Sequence, residues 1–157
     1  MTVLAIDPGP TESAFVRWDG MKILDKGKIG NLDLLGCLSS EAARPPFLAI
    51  EMIACYGMAV GKEVFETCVW IGRFSERWID TVKNEDAVTR IKRGEVKMHL
   101  CHSMKAKDGN IRQALIDRLG APGTKKAPGV TFGVSGDVWA ALGVAVTFWD
   151  RLQDGAL

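Results

Sequence analysis

Two acidic residues sit at the same kind of place in this chain. The apolar run Val3-Leu4-Ala5-Ile6 stops at Asp7, where Pro8-Gly9-Pro10 forces a turn, and Phe47-Leu48-Ala49-Ile50 stops at Glu51. Each reads as a buried strand that delivers a carboxylate at its end. A third acid, Asp137, falls in the first turn of a final helix. Taken singly, each has an ordinary explanation: an acid at a strand end caps a turn, and an acid at a helix start faces free N–H groups. Side by side they would repel, and together they suggest a divalent cation, since hard oxygen ligands on rigid strands suit Mg²⁺ or Mn²⁺. Phosphodiester hydrolysis explains the set. Two ions about 4 Å apart can activate a water, polarise the scissile phosphate and stabilise the leaving oxygen. Asp7 is the candidate to bridge both ions, with Glu51 on one and Asp137 on the other.

The elements that must position these acids follow from pattern. After the first strand, residues 12–19 read as a second strand, Asp19-Gly20 as a hairpin turn and 21–29 as a third strand. A short helix over 32–38, capped by Asn31, leads into a polar linker over 39–46 and then the strand ending at Glu51. Residues 62–82 read as a long helix with Val64, Phe65, Cys68, Val69, Gly72, Ser75, Ile79 and Val82 on its apolar face. Trp70, Arg73 and Phe74 lie on another face, where Trp70 and Phe74 either make a second contact inside the monomer or meet a partner subunit. A short helix is expected over 85–92, a fifth strand over 96–101, an amphipathic helix over 108–119, a long loop over 121–134, and a last helix over 136–152 capped by Ser135. A meander of three antiparallel strands followed by alternating strands and helices implies a mixed five-stranded α/β sheet with helices on both faces. In such a sheet a site forms where strand ends gather.

The 157 residues are the size of one domain, and 47% hydrophobic with 25% charged residues fits a folded protein rather than disorder. No apolar run reaches the roughly 18 residues of a membrane span, and no signal-peptide pattern opens the chain, so a cytoplasmic protein without membrane contact is expected. The four cysteines form no C-x-x-C pair and read as reduced, buried thiols. His99 and His102 lack a second ligand pair at zinc spacing. Net charge is only +1, yet residues 83–112 hold eight basic residues against four acidic ones. Any one of these lysines is an ordinary solvated residue, but as a group they form a candidate phosphate-tracking surface. Lys105 and Lys107 precede a helix start beside the acids, Arg112 lies a turn further on, and Arg90, Lys92 and Arg93 are candidates for a more distant DNA arm. Tyr56, just past Glu51, is a candidate to stack on an unpaired base, or else packs beneath its loop.

Four segments carry a family resemblance. Leu4-Ala5-Ile6-Asp7-Pro8-Gly9 resembles the first motif of RuvC-type Holliday-junction resolvases, Leu48-Ala49-Ile50-Glu51 the second, and Asp137-Val138-Trp139-Ala140-Ala141-Leu142-Gly143-Val144-Ala145 the C-terminal one. Lys105-Ala106-Lys107-Asp108-Gly109-Asn110-Ile111 is similar to the lysine-containing segment that opens a helix in that family. The similarity spans nearly the whole chain in the right order. It implies a ribonuclease-H-like fold and a homodimeric, Mg²⁺-dependent endonuclease that binds branched DNA and cuts paired strands without a small-molecule cofactor. A phage or prophage origin is one further implication.

One departure stands out. The family carries two acids, or a histidine and an acid, three residues apart on the last helix, whereas Asp137 is followed at that spacing by Ala140. Either Ala140 stands in place of the second acid, or Asp137 is itself the second and the first is missing; in both cases the site is one ligand short, to be completed by water, a substrate phosphate, or a more distant acid such as Glu66 or Asp150. Two rival readings follow: a junction-binding protein that has lost cleavage, and a ribonuclease H-type nuclease acting on another substrate.

Overall fold

The computed structural model describes residues 1–40 and 47–157, so most of the linker expected over 39–46 lies outside the described residues. Five strands form one sheet in the order β3-β2-β1-β4-β5: β1 (Val3–Asp7), β2 (Glu12–Trp18), β3 (Ile23–Gly30), β4 (Phe47–Met52) and β5 (Val88–Lys92). The first three are antiparallel neighbours, and β4 and β5 run parallel to β1. This is the mixed sheet expected from the sequence. Among the described residues the α-helices are α1 (Asn31–Cys37), α2 (Lys62–Val82), α3 (Arg93–Cys101), α4 (Asp108–Leu119) and α5 (Val138–Gln153).

Strand alternation sorts the core into two layers. Val3, Ala5, Ala14, Val16, Trp18, Ala49 and Ile91 pack with α3, α4 and α5, while Ile6, Leu48 and Ile50 pack with α1 and α2. The central helix α5 is buried without interruption from Val138 to Phe148 apart from Ala140, as a helix laid across the middle of a sheet must be. The α5 face also carries the two strand-end acids, because Asp7 follows Ala5 and Glu51 follows Ala49 by one strand repeat.

Three expectations are corrected. The fifth strand is β5, where β-branched Val88, Thr89 and Ile91 favour extended backbone. It occupies most of the span expected as a short helix over 85–92, and residues 96–101, read as a strand, lie in α3 instead. Its first turn is fixed by the Lys92 N–H, which donates to Glu95 Oε2 at 2.8 Å, and Gly94 and Val96 are buried at the start of the helix. The Met104 and Tyr56 side chains close over Gly94, where a Cβ would lie 2.5 Å from Met104 Cε and 2.7 Å from Tyr56 Oη. The buried stripe of α2 is Thr67, Ile71, Phe74, Ser75 and Trp78, not the stripe containing Phe65 and Val69, which stay exposed. Both stripes are apolar in sequence, and the core takes the one with the larger aromatic payload.

Smaller differences follow from local hydrogen bonding. Helix α5 begins after Asp137 with no side-chain cap, so Ser135 does not cap it. Asn31 is the first residue of α1 rather than its cap, and its side chain serves another purpose described below. Cys37 and Cys55 are exposed and Cys68 and Cys101 only partly covered, so the four thiols are unpaired as expected but not buried. Among the described residues no helix is long and apolar enough to cross a membrane.

Candidate active site

The sheet register sets out the site. Asp7 pairs with Ala14 across β1 and β2, and Ala14 with Lys28 across β2 and β3, so the three side chains form one row on the α5 face. On the other side Ile6 pairs with Ile50 in the parallel β1/β4 ladder, which brings Glu51 beside Asp7 at the next step. Glu51 in turn is opposite Ile91 on β5, two residues before Arg93 at the start of α3. Asp137 enters from above at the N-terminus of α5. Three acids from three elements thus converge on one edge of the sheet, with a cation on each flank.

The electrostatics express that crowding. Asp7 is pushed from an ordinary 3.8 up to about 7, first by burial and then by the negative charges of Glu51 and Asp137, with Arg93 and Lys28 offsetting part of the effect. Burial also raises Glu51, and the Arg93 guanidinium beside it opposes that shift. Arg93 donates to Glu51 Oε2 at 3.2 Å and to Asp108 Oδ1 at 2.5 Å. Lys28 Nζ lies 2.7 Å from Asp137 Oδ2, and this bond holds the ammonium more firmly protonated than usual. Among the described residues no three acidic, histidine or cysteine side chains already stand as a closed metal cage. Two of the three carboxylates are turned toward Lys28 and Arg93 instead.

A buried hydrogen-bonded pair fixes the turn that follows Asp7. Ser13 and Asn31 are both almost fully buried, and the Ser13 hydroxyl donates to Asn31 Oδ1 at 2.6 Å. The Gly9 N–H donates to Ser13 Oγ at 3.2 Å, and Asn31 Nδ2 donates to the Gly9 carbonyl at 2.9 Å. Gly9 has no room for a side chain, since a Cβ would lie 2.4 Å from the Glu12 carbonyl oxygen. The backbone leaving Asp7 is therefore held at both its N–H and its C=O.

The remaining candidates divide by location. Arg93 is not on a distant arm but pairs directly with Glu51, because α3 begins where the fifth strand ends. Arg90 pairs with Ile50 and Lys92 with Met52, so both side chains leave β5 toward the α2 face, away from the acids. Lys107 immediately precedes α4, next to the Asp108 that Arg93 binds, and Lys105 is exposed just upstream. The Arg112 guanidinium sits 5.2 Å from the ring centre of Trp139, two residues beyond Asp137, which brings it over the first turn of α5. Tyr56 is 67% exposed in a left-handed conformation, with its hydroxyl against Gly94 beside Arg93.

Neither distant acid completes the site. Asp150 lies about 20 Å along α5 from Asp137, at 1.5 Å per residue. It is engaged by His99 at 2.6 Å and by both nitrogens of Arg118 at 2.5 and 2.6 Å. Glu66 pairs with Lys62 on α2, the helix that packs on the opposite face of the sheet. Phe74 is fully buried in the monomer and stacks on Trp70 at 5.6 Å, while Arg73 covers the other ring. The Trp70–Phe74 pair thus makes an internal contact through Phe74, while Trp70 is only partly covered.

Sequence reading missed Lys28, and it counted Lys97 among the basic residues of 83–112 without placing it beside Glu51. The signal for Lys28 was its register with Ala14, which cannot be read until the hairpin is paired. Lys97 lies close enough to Glu51 to lower its pKa, and this became visible only once 93–101 was helical.

No family model matches the chain, and no curated protein matches it in sequence. Solved structures do match in fold. Thermus thermophilus RuvC superposes with a TM-score of 0.66 at 18% identity, covering 99% of this chain and 97% of that one. The T. thermophilus RuvC in complex with a Holliday junction substrate gives 0.64 at 19% identity, covering 98% and 96%. The chain has the RuvC-type, ribonuclease-H-like fold.

Proposed function

We propose that this protein is a divalent-metal-dependent endonuclease that resolves four-way or other branched DNA. The observation that carries the proposal is the convergence of Asp7, Glu51 and Asp137 from β1, β4 and α5 on one sheet edge, with Asp7 pushed to about 7 by burial and by the other two acids. A folded chain that crowds three carboxylates without enough positive charge to settle them has a place for a hard cation. The donor set is all oxygen and borne on rigid elements, which fits Mg²⁺ or Mn²⁺ held by Asp7 and Glu51. Such an ion, when bound, activates a water and polarises a phosphodiester.

The chain's own groups would then do the rest. Lys105, Lys107 and Arg112 surround the N-termini of α4 and α5 and would meet backbone phosphates on either side of the cut. Tyr56, exposed beside Arg93, would stack on a base freed at the branch point. The exposed stripe of α2, with Phe65 62% and Val69 61% exposed, would receive a second copy and set two sites against paired strands. The junction-bound RuvC structure supports a branched substrate for this fold.

A second reading rests on Ala140 and on the Lys28–Asp137 pair: the chain binds junctions without cutting them. Labelled four-way, flap, linear duplex and RNA–DNA hybrid substrates, each incubated with Mg²⁺, separate the readings. Cutting confined to branched DNA is expected. Preference for the hybrid would make the chain a ribonuclease H-type enzyme, and tight junction binding with no cutting would make it a binding protein.

A further inference from the structure

We infer that Lys28 is a built-in cation standing where a second metal ion would otherwise sit, so that the site holds one divalent ion and not two. The inference rests on the nuclease reading above and specifies how its site is charged. Three observations carry it. Lys28 Nζ is 2.7 Å from Asp137 Oδ2, a direct charge-assisted bond to the acid expected to hold the second ion. The position one turn further along α5 is Ala140, which offers no carboxylate to compete for Asp137's partner. The register places Lys28 in the same cross-strand row as Asp7, with Ala14 between them.

That row explains how a lysine reaches the site. Neighbouring strands are about 4.8 Å apart, so Lys28 starts about 10 Å from Asp7 and needs its whole four-carbon chain to approach the acids. Ala14, between them, is a small residue buried in the core. With Asp137 engaged by the ammonium, Asp7 and the Glu51 oxygen that Arg93 does not bind remain for a metal, and two carboxylates with water ligands suit one Mg²⁺. An ammonium at Asp137 supplies a positive charge to the phosphate side of the site without a bound ion, as an arginine or lysine clamp does.

The test is the number of Mn²⁺ ions bound per chain, followed by calorimetry and by electron paramagnetic resonance on the protein without DNA. One Mn²⁺ is expected for the wild type. Asp137→Asn should bind Mn²⁺ within about threefold of the wild-type affinity, whereas Glu51→Gln should lose binding by tenfold or more. Lys28→Ala, a change at an exposed strand position, should expose Asp137 and raise the count to two at millimolar Mn²⁺. Two ions in the wild type would overturn the inference while leaving the nuclease reading intact, as would a Lys28→Ala count that stays at one. No Mn²⁺ binding by the wild type at any concentration would overturn both.

Discussion

The Arg93 guanidinium joins Glu51 to Asp108, donating to the first at 3.2 Å and to the second at 2.5 Å. It ties the end of β4 to the starts of α3 and α4, and it does so with the only charge that lies directly on the partly buried Glu51 carboxylate among the described residues. Arg93→Ala leaves that carboxylate next to Asp7 with only the weaker influence of Lys97 to offset it. The expected loss is about 1–3 kcal/mol of stability without metal, the range for orphaning a partly buried charged hydrogen-bond acceptor. Added Mn²⁺ should recover more of the melting temperature in this variant than in the wild type. Thermal denaturation with and without Mn²⁺ checks both halves.

Asp7 makes stability depend on pH in an unusual direction. Its folded pKa of about 7 lies above the ordinary 3.8, so the folded state holds this proton more tightly than the unfolded chain. The contribution is therefore fully present below about 4 and is lost as pH climbs to about 7. Asp7→Asn should remove the penalty and raise stability at pH 8 by about 1–3 kcal/mol, with little change at pH 4. Denaturant melts at the two pH values measure it. A variant less stable than the wild type at pH 8 would mean that Asp7 is not crowded.

The same proton competes with a metal. Below about 7, Mn²⁺ must displace it, so affinity should fall up to tenfold per pH unit and level off above pH 8. Titrations of Mn²⁺ from pH 5.5 to 8.5 give the slope directly. An affinity independent of pH would remove Asp7 from the ligand set.

Much of this arrangement was legible in the sequence, and the limits were physical. Asp7 and Glu51 could be placed because each ends an unbroken apolar run, and buried strands leave that mark. The antiparallel opening was legible because Asp19-Gly20 marks the hairpin, where Gly20 adopts φ 95° with Trp149 packed against it. Residues 85–101 were misread in register because β5 is five residues long and carries a single fully buried residue, Ile91, too little for a period to emerge. The active stripe of α2 was ambiguous because two apolar stripes share one helix. Lys28 and the Ser13–Asn31 pair depend on contacts 18 to 109 residues apart in sequence, which no local pattern encodes.

The Ser13–Asn31 pair should matter to the turn after Asp7 more than to the helix it adjoins. Asn31→Ala leaves the buried Ser13 hydroxyl and the Gly9 carbonyl without their partner, at a cost of about 1–3 kcal/mol. Faster hydrogen exchange at Gly9 than in the body of α1 is expected. Equal loosening of α1 would assign Asn31 to the helix instead.

Phe65 and Phe74 offer a contrast on one helix. Phe65→Glu should leave the fold intact and shift sedimentation toward the monomer, because this ring is exposed on the outer stripe. Phe74→Ala should cost about 3–5 kcal/mol through the core cavity it opens. Sedimentation at several concentrations and a thermal melt separate the two. A Phe65→Glu protein with unchanged mass would move the subunit contact elsewhere.

The most direct measurement is cleavage of a labelled four-way junction by wild-type and Asp7→Asn protein, with Mg²⁺ and with chelator. Paired nicks by the wild type in Mg²⁺ alone are expected, together with full junction binding and no cutting by Asp7→Asn. Nicking that survives in Asp7→Asn, or in chelator, would contradict the assignment of the acids to a metal-dependent site.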